Sequence, residues 1–274
     1  MHSQKDIKKL QQIELNLAKK IIAICDQNQI KYIMLGGTML GAIRHHGFIP
    51  WDDDIDFGMS RNDYDRFCQL VLNLKDDNLK LLDFRFNSNH DYPAKVIDQS
   101  IELVNNNVAS KEIIYPWIDI FPLDGMPANK FVRKIHGTKL MIDRALLKLS
   151  QLSNGVALNN PNRTSFEKVV IKFGRLIRSD KFLKELKMMQ LLDRDLRKYR
   201  YQDCPYAVNF MGAYKLNEMF PRKFYDRLKK YAFEDTQFTG TFFYDEYLKQ
   251  LYGDYMQPPK KNDRDKHNVG IKQS

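Results

Sequence analysis

Cysteine is scarce in this chain of 274 residues, and the few present stand apart. Cys25, Cys68 and Cys204 are odd in number and show no C-x-x-C spacing, which argues against a disulfide framework and reads as buried, reduced thiols of a cytosolic protein. Long apolar runs are missing as well: no stretch approaches roughly 18 consecutive apolar residues, so none reads as a membrane span. The opening MHSQKDIKKLQQ is polar and lacks the apolar centre of a secretory signal. The sequence has no internal repeat, no zinc-ligand spacing, no G-x-S-x-G elbow and no Walker P-loop, so solenoid, zinc-finger, serine-hydrolase and P-loop classes drop out.

What is present suffices for a real core. At 43% hydrophobic residues, the chain can form one large domain or a core domain with a helical appendage. The net charge of +10 is unevenly spread. Lys and Arg number 14 against 18 Asp and Glu over residues 1–128, 18 against 6 over 129–200, and 12 against 10 over 201–274. The middle segment is therefore the part suited to meet an anionic surface or polymer.

The chain is organised around MLGGTMLGAIRHHGFIPWDDDIDFGM, residues 34–59. A strand through DDDIDFG would point Asp52, Asp54 and Asp56 to one face and Ile55 and Phe57 to the other. Adjacent carboxylates repel one another unless a cation neutralises them, and Mg2+ or Mn2+ suits an all-oxygen site. An acidic turn is the plainer reading. Upstream, Ile30 to Leu35 reads as a buried strand, with Gly36-Gly37 at its junction with a helix from Thr38 to His45. Glycines there let backbone N–H groups approach a phosphate at a helix N-terminus, although a tight turn needs them equally.

Further elements follow from spacing. Residues 7–28 form a helix with Leu10, Ile13, Leu17, Ile21 and Ile24 as its apolar stripe, and Ser60 with Asp63 starts another. Strands are expected at 79–84, 92–97, 101–105 and 117–122. Lys95, in YPAKVID, is either an ordinary edge-strand lysine or a partner for diphosphate oxygen. Asp119 stands alone among large apolar residues in WIDIFP, so it must be paired, hydrogen-bonded or bound to a cation. Residues 129–152 and 164–199 are helical in pattern. In the second, Phe166, Val169, Val170, Phe173, Leu176 and Ile177 form one stripe with Lys168, Lys172, Arg175 and Arg178 off it. Such a helix lies on an anionic membrane or packs on its neighbours with solvated lysines. Beyond residue 200 the chain reads as aromatic-rich strands or extended loops, ending in a short helix over 245–252. An aromatic cage would hold a quaternary ammonium there, but the sequence picks out no particular rings.

The run GGTMLGAIRHHGFIPWDDDIDFGMSRNDYDRF, with WIDIFPLD at 117–124 and YGDYMQPP at 252–259 followed by His267, resembles the LicD family of phosphocholine transferases, relatives of fukutin and fukutin-related protein. The resemblance implies an α+β fold: a nucleotidyltransferase-like mixed sheet core flanked by helices, with a basic helical insertion and an aromatic-rich C-terminal part. The expected division is a catalytic core over 1–128, a basic helical segment over 129–200, and a part completing core and site over 201–274. It implies Asp54, Asp56 and Asp119 as catalytic, with Asp52 beside them as metal ligands for Mg2+ or Mn2+, and Asp124 as a weaker alternative to Asp119. Gly36, Gly37, Thr38, Arg44, Lys95 and His267 would contact the donor, His267 otherwise belonging to a frayed polar tail. The donor would be a CDP-alcohol, CDP-choline first and CDP-ribitol as the alternative, with CMP released and the phosphodiester left on a glycan such as a teichoic-acid precursor or lipopolysaccharide, its acceptor lipid-linked. An NTP-using nucleotidyltransferase and a non-catalytic basic binding module are the other classes. No nucleic-acid partner is expected. The location implied is cytoplasmic, with peripheral contact at the inner face of the membrane through residues 129–200.

Overall fold

A computed structural model describes residues 4–86, 91–105, 112–151, 183–259 and 269–271. Helix α1 (Gln4–Gln27) buries Leu10, Leu17, Ala18, Ile21 and Cys25, the three-and-four spacing of one helical face. Strand β1 is only Ile33–Met34, shorter than the run of apolar residues around it, and leads into α2 (Gly36–His45). Strand β2 (Asp56–Ser60) is followed at once by α3 (Arg61–Leu72), whose N-cap is Ser60, its side chain accepting from the Asp63 N–H.

Four short strands come next: β3 (Leu79–Leu82), β4 (Ala94–Asp98), β5 (Leu103–Asn105) and β6 (Glu112–Ile114). Strand β7 (Trp117–Met126) runs four residues past the expected end because its far half pairs with β8 (Tyr206–Val208). Between them lie α4 (Lys130–Ser150) and α5 (Glu185–Leu196). The stretch 164–182 of the expected basic helix lies outside the described residues. The chain closes with β9 (Met219–Pro221), the hairpin β10 (Leu228–Phe233) and β11 (Thr236–Thr241), α6 (Tyr244–Tyr252), and β12 (Val269–Ile271), which pairs with β5.

The main sheet has the order β1-β2-β7-β4-β3, with β8 and β9 continuing from the far end of β7. It is mixed: β2 and β7 run parallel, and the other neighbours run antiparallel. Sheet and helices together make the fold α+β. The principal core draws on both ends of the chain, packing Ile21, Met34, Phe57, Tyr64 and Ile120 with Phe220, Phe238 and Tyr247. A second apolar cluster joins α4 and α5 through Leu140, Leu147, Met189, Leu192 and Leu196, with Val208 and Phe210 beneath them. Among the described residues, no helix is long and apolar enough to cross a membrane.

Two expectations are corrected. Strand β2 begins at Asp56, so Asp52 and Asp54 do not alternate along a strand but sit on the preceding loop. Aspartate is a poor strand former, and the loop has its own restraints: Asp52 N–H donates to the Ile49 carbonyl, and Gln11 of α1 donates to the Asp52 carbonyl at 2.7 Å. The second correction concerns Asp124. It is five positions from Asp119 on the same strand, and an odd separation puts the two on opposite faces of the sheet.

On that opposite face the Asp124 carboxylate is gripped at both oxygens by Arg61, at 2.7 and 2.6 Å. Arg61 also reaches Asp193 of α5 at 3.1 Å and the Tyr92 hydroxyl at 3.2 Å. Asp124 therefore belongs to a buried ion network that fastens α5 to the sheet. Arg61 is 6% and Asp124 2% exposed, so removing the cation leaves uncompensated charge in the interior. Arg61→Ala is expected to lower unfolding free energy in urea by about 3–5 kcal/mol. Arg66→Ala, which breaks a more exposed pair with Asp63, should cost less than about 1 kcal/mol. Equal losses would contradict the assignment.

Candidate active site

The register of β2 on β7 places Asp56 directly beside Asp119, and the register of β4 on β7 places Lys95 on the other side of Asp119. Laterally paired residues share a face of the sheet, so Asp56, Asp119 and Lys95 form one row. Asp119 is held from within its own strand, its Oδ2 accepting from the Trp117 indole N–H at 3.0 Å. Lys95 lies 5.1 Å from the centre of the Trp117 ring and 4.0 Å from Asp91.

Burial, with Asp54, Asp119 and Asp52 close by, pushes the Asp56 carboxyl well above the usual carboxylate range. Asp119 is raised too, by burial first; Lys95 and the indole oppose the shift while Asp54 adds to it. This is the condition an added cation relieves, and the donors are all carboxylate oxygens, the chemistry of a hard divalent ion. Among the described residues, no three Asp, Glu, His or Cys side chains stand together as a ready-made ligand set. The residues thus fit the expected Mg2+ or Mn2+ in kind and neighbourhood without being gathered around one point.

A cavity of about 570 Å³ opens at this edge of the sheet. Gly36, Gly37, Arg44, Asp52, Asp54 and Asp56 line it from the N-terminal half, and Asn209, Tyr214, Glu218, Tyr252, Asp254 and Tyr255 from the C-terminal part. The two glycines begin α2. A Cβ on Gly37 would stand 3.1 Å from Asp52 Oδ2, and Gly36 has φ +46°, where an L side chain is strained. They make room for the carboxylates at the positive end of the helix, where negative charge is favoured.

Several expected donor contacts have other partners. The Gly36 N–H donates to the Tyr247 hydroxyl at 3.0 Å. Thr38 is buried, and its hydroxyl accepts from the Asp56 N–H at 2.8 Å, tying α2 to β2. Arg44 lines the cavity and donates to the Tyr255 carbonyl at 2.7 Å, bracing the opposite wall. Lys95, Thr38 and Asp119 are not among the lining residues. His267 lies outside the described residues.

Sequence reasoning missed two carboxylates. Glu14 falls within the apolar stripe of α1, its Oε1 accepting from the Trp117 N–H at 3.2 Å and its Oε2 having no hydrogen-bond partner among the described residues. Burial raises it strongly, and Asp53, Asp54 and Asp119 add to the effect. A lone acid between Leu10 and Leu17 was the available signal. Glu218 closes a 3-10 turn (Lys215–Glu218) on the cavity wall, and no local pattern marks it. Its oxygens accept from Asn209 Nδ2 at 2.7 Å and the Tyr214 N–H at 3.1 Å.

Residues 29–136 match the model of the LicD/FKTN/FKRP nucleotidyltransferase domain. That stretch is a LicD-family domain. It holds Gly36, Gly37, Arg44, the aspartate loop, β2 and β7, whereas Tyr214, Glu218, Tyr252 and Asp254 come from beyond it. The whole chain is similar to the lipopolysaccharide cholinephosphotransferase LicD of Haemophilus influenzae, 28% identical over 268 residues and 96% of each chain. Shorter matches include the ribitol 5-phosphate transferase FKRP of Mus musculus, 36% identical over 53 residues, 19% of this chain and 11% of that one. An uncharacterized protein of Rickettsia typhi is 42% identical over 59 residues, 22% of this chain and 19% of that one.

Burial lifts the Glu218 carboxyl from 4.5 to about 7, against the opposing pull of the Tyr214 N–H, Asn209 and Arg144. Below pH 4.5 folded and unfolded chains both hold this proton, and the group costs nothing. As pH rises from 4.5 to about 7 the unfolded chain ionises first, so Glu218 should drain about 3 kcal/mol of stability across that window. In urea unfolding from pH 5 to 8, Glu218→Gln should remove this slope, and its stability relative to wild type should climb by a comparable amount. Parallel profiles would refute it.

Proposed function

We propose that the protein is a phosphotransferase that moves the phosphocholine of CDP-choline to a sugar hydroxyl of a cell-surface glycan precursor and releases CMP. The observation that carries the reading is the pairing of Asp56 with Asp119 on parallel strands, next to the Asp54 loop, at the edge of a cavity walled by both halves of the chain. Its size falls in the range of small-molecule sites. The similarity along nearly the full length of a cholinephosphotransferase supports the choice of donor.

In this reading the acceptor oxygen attacks the phosphorus that carries choline. The bond from that phosphorus to the oxygen bridging it to CMP breaks, and the hydroxyl proton passes to a carboxylate. Phosphoryl transfer asks mainly for positioning and charge compensation. Asp54 and Asp56 face the cavity and would hold Mg2+ or Mn2+, with Asp52 and Asp119 adjoining. Such an ion, when bound, supplies positive charge to the diphosphate oxygens. Asp119, its proton affinity raised by burial, is the carboxylate assigned to receive the proton. Gly37 gives close approach to the head of α2, and Arg44 offers a guanidinium on the same wall. CDP-ribitol is the second donor to weigh, because a stretch of 53 residues also matches a ribitol 5-phosphate transferase.

The decisive assay supplies Mg2+, a glycan precursor and CDP-choline or CDP-ribitol, and follows CMP. CDP-choline should be consumed with phosphocholine appearing on the glycan. Asp54→Ala and Asp56→Ala should each lower kcat by at least about a hundredfold while the protein stays folded by circular dichroism. Pyrophosphate release from an NTP would replace this reading with nucleotidyl transfer, and turnover surviving both substitutions would end it.

The acceptor partner is read as lipid-linked, with the protein resting on the inner membrane face. Support comes from α4, which exposes Phe131, Ile135 and Ile142 on one face beside Lys130 and Lys134. An apolar stripe edged with lysine suits an anionic bilayer surface. The protein should co-sediment with phosphatidylglycerol vesicles at low salt and be released by Phe131→Ser with Ile135→Ser. Equal sedimentation of wild type and double variant would remove this contact.

A further inference from the structure

Tyr214 and Tyr252 meet edge to face at the cavity wall, ring centres 5.5 Å apart and planes at 85°. Tyr252 ends α6, and its hydroxyl stands 3.6 Å from where a Gly36 Cβ would be, a point 3.9 Å from Asp56 Oδ2. The corner made by the two rings therefore adjoins the carboxylates. We propose that this Tyr214–Tyr252 corner is the head-group subsite of the donor, selecting a quaternary ammonium over a polyhydroxy alcohol; this rests on the CDP-alcohol reading above.

Three observations carry it. Both rings line the cavity, and a cation lacking hydrogen-bond donors is drawn to an aromatic face. The wall around them is rich in carboxyl groups, with Asp52, Asp54, Asp56, Glu218 and Asp254 against Arg44 as the one cationic side chain among the described lining residues. A diphosphate gains from such a wall only through bound metal, whereas a trimethylammonium group gains from it directly. Of the two side-chain amides that line the cavity, Asn209 and Gln257, the first is committed: it gives a hydrogen to Glu218 and its oxygen accepts from the Gly212 N–H at 3.2 Å. An alditol chain needs partners for each hydroxyl it buries, because unsatisfied polar groups are costly.

The alternative occupant of the corner is the cytosine ring, and the test separates the two. Binding is measured by calorimetry on the full chain with Mg2+, using CMP, CDP-choline, CDP-ribitol and CDP-3,3-dimethylbutanol, in which carbon replaces the charged nitrogen. Wild type should prefer CDP-choline to its uncharged isostere. Tyr214→Leu and Tyr252→Leu should each weaken CDP-choline roughly five- to thirtyfold and leave CMP within about twofold. Tyr214→Phe, which keeps the ring, should stay near wild type and serves as the folding control.

Equal loss of CMP in the leucine variants would assign the corner to the base and overturn the proposal, as would undiminished CDP-choline binding or no preference over the isostere. If wild type binds none of the nucleotides, the donor reading fails instead. Choline alone, followed by tyrosine fluorescence, then judges the corner: binding lost in both leucine variants supports it, and no binding overturns it.

Discussion

Parallel pairing of β2 with β7 is the constraint on which the rest depends. Parallel neighbours cannot be joined by a tight turn, so the chain between them has to travel through α3 and the antiparallel strands before it returns. The return leg brings Asp119 level with Asp56 and nowhere else. A one-residue slip would turn Asp119 to the far face and present Ile118 or Ile120 in its place. That slip is resisted from both sides: Ile118 and Ile120 are fully buried, and Trp117 is fixed by the Glu14 carboxylate at its backbone and by Asp119 at its indole. The cost of crowding carboxylates is thus borne by apolar packing on the reverse of the same strand.

The first wall of the site was largely legible from the sequence. Strand, Gly-Gly, helix, then acidic loop and strand is the order observed, and Asp119 stood out as a charge among bulky apolar neighbours. The limits of β2 were not legible, because alternation was extended across residues whose intrinsic preference is against a strand. The separation of Asp124 from the cluster was available in the pattern, since an odd interval along one strand fixes opposite faces. Its true partner was not, because Arg61 lies on another element and Asp193 on a third.

The second wall was legible only as a region, the part over 201–274 expected to complete core and site with YGDYMQPP as its motif, and its individual residues were hidden for a physical reason. Asn209, Tyr214, Glu218 and Tyr252 meet the carboxylates only through tertiary packing, and nothing in their local spacing distinguishes them from other aromatic and polar positions of the C-terminal part. Lys95 was legible as a lysine near the acidic strand, but its place two strands away from Asp56, next to Asp119 and over an indole, needed the sheet register.

The hydrogen bond from Gly36 N–H to the Tyr247 hydroxyl spans 211 positions of sequence. It means that the helix head bearing the twin glycines reaches its final setting only after α6 has emerged from the ribosome. The cleft is therefore completed late in biosynthesis, and a chain cut short before Tyr247 would keep the carboxylate-bearing strands without the helix that closes the wall facing them.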